Sequence, residues 1–233
     1  MEEPQYSEVF LKRQLFKAAR LNKPDIFLDT MEKINDDTLQ GFSLLSKRDP
    51  EGRNVITLAL LFASVDVLKA ISEYFESAFD MRQLILKQEF DSNTAFGMAI
   101  SLMQFSQFRK RSSKTVDFLI DLCIKPKSQV SNETDYRRYI NLTDRLGRAT
   151  LHLACMHGVS SLQLTKLVQE CGADLSMEDI EGQTPLHYAI DYDKHEVLHE
   201  LAVLKGVEFV TLDKFGENTL TRCIKHGSWK CAA

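Results

Sequence analysis

His195-Glu196-Val197-Leu198-His199 sets two histidines four residues apart with a glutamate between them. On a helix that spacing brings both imidazoles to one face, with the carboxylate placed to act as general base beside a zinc ion. A catalytic zinc needs a third protein ligand, and no downstream Glu or His falls into a recognised spacing. Cys155, His157 and Cys171 offer a second set of metal-ligand types, but the chain holds no C-x-x-C pair. His152 and His187 each follow a leucine at the start of an apolar run. Arg109-Lys110-Arg111, with Lys114, forms a basic cluster around Ser112 and Ser113. That cluster fits a nuclear import signal, a contact for an acidic partner, a phosphorylation-controlled switch or a solvated mobile turn. No Gly-rich phosphate loop or G-x-S-x-G nucleophile elbow is present. No catalytic residue, cofactor or bound metal is therefore expected.

The elements that would hold these side chains must fit a chain of 233 residues, 44% hydrophobic and 27% charged. This is the balance of an ordinary soluble globular protein. Twenty-nine Lys plus Arg against 33 Asp plus Glu leave a net charge of −4, which disfavours direct nucleic-acid binding. The cysteines, Cys123, Cys155, Cys171, Cys223 and Cys231, are odd in number and widely spread, as free thiols in a reducing compartment would be. The residues from Met1 to Phe10 are polar and acidic, unlike a secretory signal. The most apolar stretch begins at Val55 and meets Asp66 and Lys69, well short of the roughly 20 residues of a membrane span. A cytoplasmic or nuclear protein is expected, with the sequons at Asn132 and Asn141 unused.

An internal repeat organises the rest. Asp144-Arg145-Leu146-Gly147-Arg148-Ala149-Thr150-Leu151-His152-Leu153-Ala154 is echoed by Asp179-Ile180-Glu181-Gly182-Gln183-Thr184-Pro185-Leu186-His187-Tyr188-Ala189. A third copy runs from Asp213 through Gly216 to Leu220 and reaches Cys223 at the alanine position. Each Asp-x-x-Gly can form a turn, with Gly free to take positive φ and Asp bonding to nearby amides. Thr184-Pro185 suits a helix start, and Leu186, Ala189 and Ile190 then mark one helical face. Second helices follow through Leu162, Leu164, Leu167 and Val168, then through Val197, Leu198, Leu201 and Leu204. Thr184-Pro185-Leu186-His187-Tyr188-Ala189 carries the T-P-L-H-x-A signature, and the chain resembles the ankyrin-repeat family.

Fainter copies extend the register. Asp49-Pro50-Glu51-Gly52 leads to Ala59, Asn93-Thr94-Ala95-Phe96 leads to Ala99, and Leu15-Phe16-Lys17-Ala18 opens the series. An all-α ankyrin solenoid of six units follows, with short β-hairpin turns and one continuous domain over 1–233. The units run roughly 8–46, 47–86, 87–141, 142–176, 177–210 and 211–233. The third has an insertion at 104–140, shared between a lengthened turn over Arg109–Lys114 and a long loop from Lys125 to Tyr139. The last unit reaches Ala233 with room only for its first helix, so it either caps the array or continues in a longer protein.

The resemblance implies structural roles for His152 and His187 and a packed position for Cys155. It makes His195 the histidine of an inter-helix turn. It also implies non-catalytic protein binding by a monomeric scaffold, through residues flanking the turn glycines and at the ends of the first helices. These are Arg53, Leu61 and Phe62 in the second unit, and Arg145, Arg148, Met156 and His157 in the fourth. The fifth supplies Ile180, Glu181, Gln183, Asp191 and Tyr192, and the sixth Lys214, Phe215 and Glu217. Leu151-His152-Leu153-Ala154-Cys155-Met156-His157-Gly158 is similar in style to the inhibitor-of-NF-κB family, which would imply a transcription factor or signalling protein as partner. A zinc-dependent hydrolase through His195 and His199, and the ankyrin segment of a larger enzyme, channel or adaptor, stand as alternatives.

Overall fold

In a computed structural model of the chain, residues 6–34, 37–76, 81–124, 136–204 and 212–226 are described. They are predominantly α-helical; among them, strand is confined to Glu89–Phe90 and Asn93–Thr94. The chain divides into two compact units, Met1–Asp91 and Ser92–Ala233.

In the first unit α1 (Glu8–Leu21) starts at Ser7, whose hydroxyl accepts the Phe10 N–H, and ends at Asn22 in the left-handed conformation. Proline at the first position opens α2 (Pro24–Glu32), where a missing N–H costs nothing. α3 (Thr38–Ser46) is capped by Asp37, and α4 (Val55–Leu61) by Asn54. α5 (Val65–Tyr74) and α6 (Met81–Leu86) complete the unit. α1 packs on α2 and α4, and α2 on α5. The repeat pattern anticipates α1, α2, α4 and α5; α3 and α6 have no counterpart in it.

The second unit is built from α7 (Ala95–Ser101), α8 (Ser106–Ile124), α9 (Thr150–His157), α10 (Ser161–Gln169), α11 (Pro185–Asp191), α12 (His195–Val203) and α13 (Thr219–His226). First helices stack in the order α7, α9, α11, α13, and second helices in the order α8, α10, α12. The small residues of the repeat make this close stacking possible. Ala99, Ala154 and Ala189 are fully buried, and Cys223, at the same position in α13, is 3% exposed. Ala18 and Ala59 are equally buried in the first unit.

The basic stretch Arg109–Lys114 is not a lengthened turn. It forms the first half of α8, a helix of 19 residues. Small hydroxyl residues carry the buried face of α8 towards its N-terminus: Ser112 and Thr115 are both fully buried. The Ser112 hydroxyl donates to the Ala99 carbonyl, and that of Thr115 to the Arg111 carbonyl at 3.1 Å. Their polarity hides the face from a reading of apolar periodicity, although their hydroxyls are satisfied by backbone. Of the expected loop, residues 125–135 lie outside the described residues, and 136–141 form a 3-10 turn with Tyr139 and Ile140 buried.

Candidate partner-binding surface

Four turns share one construction. In each, the first oxygen of an aspartate carboxylate accepts two backbone N–H groups of its own loop. Asp49 takes those of Glu51 and Arg53 at 3.1 and 2.8 Å. Asp144 takes Leu146 and Arg148 at 2.9 and 3.0 Å. Asp179 takes Glu181 and Gln183 at 2.8 and 2.9 Å, and Asp213 takes Phe215 and Glu217 at the same two distances. Gly52, Gly147, Gly182 and Gly216 close these turns at φ between +74° and +82°.

The second carboxylate oxygen is closed in one of two ways. At Asp49 and Asp144 the arginine four residues later folds back, with its Nε at 2.8 Å in both cases. At Asp179 and Asp213 a residue nine positions on reaches up from the following helix: the Tyr188 hydroxyl at 2.9 Å and the Arg222 guanidinium at 2.8 Å. Burial pushes the Asp213 carboxyl up, but the Glu217 and Phe215 amides and the Arg222 charge outweigh it and hold the pKa below its ordinary value. Burial and the bond to Asp179 push the Tyr188 phenol up. These loops are fixed by hydrogen bonds and need no ligand to order them.

Histidine ties one repeat to the next. The Ala149 N–H donates to His152 Nδ1 at 3.0 Å, so the ring proton sits on Nε2, which meets the Gln183 carbonyl of the next turn at 2.9 Å. Thr184 N–H donates to His187 Nδ1 in the same way at 3.0 Å. Thr184 is the N-cap residue of α11 with Pro185 in the first turn, as the sequence suggests, and the His187 ring adds a reciprocal cap on the Thr184 backbone. The Tyr188 ring sits edge-on to His152 and stacks with Tyr192. Burial foremost holds His152, His157 and His187 below the ordinary imidazole pKa. Deep burial pushes the Cys155 thiol far up, as expected for a packed cysteine.

The sequence-derived contact residues separate into two groups. Arg53 and Arg148 are bound to their own turn aspartates, and Asp191 to Arg222 at 2.7 Å, so these side chains serve the scaffold. Met156 and His157 are half-buried, with an Arg148 guanidinium N–H on the Met156 sulfur at 3.8 Å. Gln183 and Glu217 are half-buried; Gln183 donates to Glu181, and Glu217 pairs with Lys225. Leu61 and Phe62 are half-buried at the end of α4. Arg145, Ile180, Glu181, Tyr192, Lys214 and Phe215 stand exposed. Arg145 still donates to the Ser92 hydroxyl at 2.8 Å, and Lys214 to the Ile180 carbonyl. Sequence reasoning did not single out Leu146, 46% exposed at a turn tip. It also assigned no role to Tyr188 and Arg222, whose only signal is their place nine residues after a turn aspartate.

His195, Glu196 and His199 are exposed on α12, while Val197 and Leu198 between them are buried. Among the described residues no third His, Cys, Asp or Glu gathers with them into a metal-binding group. Likewise, no helix of the described residues is long and apolar enough to cross a membrane.

Comparison with known proteins accords with this geometry. The chain is similar to an ankyrin repeat protein of Variola virus, 24% identical over 137 residues, covering 59% of this chain and 22% of the relative. It is similar to protein fem-1 homolog C of Danio rerio, 30% identical over 99 residues, or 37% and 16% of the two chains. The AVO2 subunit of target of rapamycin complex 2 from Saccharomyces cerevisiae is 40% identical over 57 residues, covering 24% and 13%. The chain thus spans about a fifth or less of the length of these relatives. The sequence model for "Ankyrin repeats (3 copies)" matches residues 83–213 and 151–233. The chain belongs to the ankyrin-repeat family.

Proposed function

We propose that this protein is a non-catalytic recognition scaffold, engaging a protein partner through the turn tips and first-helix ends of residues 92–226. One observation carries the reading: Ile180 and Phe215, 52% and 68% exposed, stand in water on loops whose backbone is already fixed by aspartate. Large apolar groups on pre-ordered backbone bind with little further ordering cost. Aromatic and arginine side chains dominate such interfaces, and Tyr192 and Arg145 supply both types alongside Lys214 and Glu181. The AVO2 relative bears the name of a subunit of a complex, which supports a scaffold role. The partner we infer is a signalling protein or transcription factor met in the cytoplasm or nucleus.

Affinity purification with the parent chain and an Arg145→Ala, Tyr192→Ala, Phe215→Ala variant tests this. Arg148 is left intact because it holds its own turn. We expect the specific partner to be lost from the variant at an unchanged melting temperature; equal recovery by both proteins would place recognition elsewhere.

A further inference from the structure

We propose that the groove between the first half of α8 and the α9–α10 turn is a second docking site, for an acidic peptide segment of a partner protein. The groove has a volume of about 590 Å³ and is lined by none of the turn-tip residues. Met103 and Val159, each almost fully buried, contribute apolar surface, and Arg109, Lys110 and Lys114 contribute positive charge.

The charge placement works against folding. Residues 106–116 carry four cations and no anion, within a chain that has more acid than base. Arg109 lies in the first helical turn, where the helix dipole disfavours positive charge. Lys110 and Lys114 are exposed one turn apart, a like-charge spacing that destabilises a helix. Lys110 and Lys114 meet no carboxylate partner among the described residues. Sequences keep a locally unfavourable choice chiefly where function uses it. An acidic segment entering the groove would supply the missing anions.

The groove is also partly pre-organised. The Arg109 guanidinium donates to the Met103 and Gly158 carbonyls at 3.4 and 3.1 Å, which holds its charge beside the opening. Glu196 on the wall selects among anions. A nucleic-acid strand, with phosphate at every step, would press charge against that carboxylate. A peptide can set an apolar residue there, facing Met103 and Val159.

This rests on the reading of the chain as a protein-binding scaffold, but the two sites fail separately. The probe is a fluorescein-labelled Glu-Glu-Leu repeat peptide followed by fluorescence anisotropy, with a poly-dT oligonucleotide as polyanion control. The full chain should bind the peptide, progressively less so as salt is added. The Lys110→Gln, Lys114→Gln variant should bind about tenfold more weakly and melt at the same or a higher temperature than the parent. The Arg145→Ala, Tyr192→Ala, Phe215→Ala variant should bind the peptide as the parent does. Equal binding by parent and lysine variant, a lower melting temperature in that variant, or tighter binding of the oligonucleotide would each overturn the proposal.

Discussion

The Asp213 carboxylate takes two backbone amides on one oxygen and the Arg222 guanidinium on the other. Arg222 is 5% exposed, so removing this partner leaves a buried cation short of compensation. Asp213→Ala should cost about 3 kcal/mol in urea unfolding. Asp49→Ala should cost less, since Arg53 can turn to solvent. Glycine makes a similarly paired test. Gly52 and Gly147 both hold positive φ, but a Cβ at Gly147 would meet the Ile180 nitrogen at 2.9 Å, and one at Gly52 meets nothing within 4 Å. Gly52→Ala should cost about 1 kcal/mol, the left-handed penalty alone. Gly147→Ala should cost clearly more, because the next turn must also move. Histidine sets the response to acid. The folded protein holds His152, His157 and His187 below the ordinary imidazole pKa, so between the two values the unfolded chain binds more protons. Stability should therefore be full above about pH 6.5 and fall as pH drops through and below it. A denaturation series across that range reads it directly, and His152→Asn should flatten the slope.

At the level of elements, one side chain supplies the hydrogen bonds that bridge α8 and α10. The Gln163 amide donates to the Ser113 carbonyl, the Ser113 hydroxyl and Asp117, at 3.0, 3.0 and 2.8 Å, while its backbone N–H is capped by Ser160. Gln163→Ala should cost about 2 kcal/mol, measured by thermal unfolding, because buried polar groups would lose their partner. The same bridge bears on the phosphorylation switch considered for Ser112 and Ser113. Ser112 is buried on the Ala99 carbonyl, and Ser113 is engaged by Gln163. What the sequence made legible here was what repeats. Each alanine anchor, each turn aspartate and the T-P-L-H histidine lies where the period puts it, because stacking demands the same small or hydrogen-bonding residue every time. Features that occur once escaped. α3 has a good cap in Asp37 but no copy, and α8 hides its buried face behind Ser112 and Thr115. The geometry of the candidate surface was half legible. Turn positions follow from the period, but whether an arginine there faces solvent or its own aspartate depends on side-chain geometry that Arg145 and Arg148 resolve in opposite ways.

For the molecule as a whole, stability is the sum of what each repeat contributes and what it shares with its neighbours. Residues 92–233 contain successive first and second helices that bury one another's small residues, so this segment expressed alone should keep its helical circular dichroism and unfold cooperatively. Loss of that transition would mean that the interactions within Ser92–Ala233 are insufficient. The turns of this unit also meet their neighbours through backbone: the Ile180 N–H donates to the Leu146 carbonyl at 3.0 Å, and the Lys214 N–H to the Glu181 carbonyl at 3.0 Å. Under a mechanical load along the stack, such tip-to-tip bonds lie in series, each junction bearing the full force instead of sharing it. Small displacements at successive turns then add along the segment, so its compliance is set turn by turn.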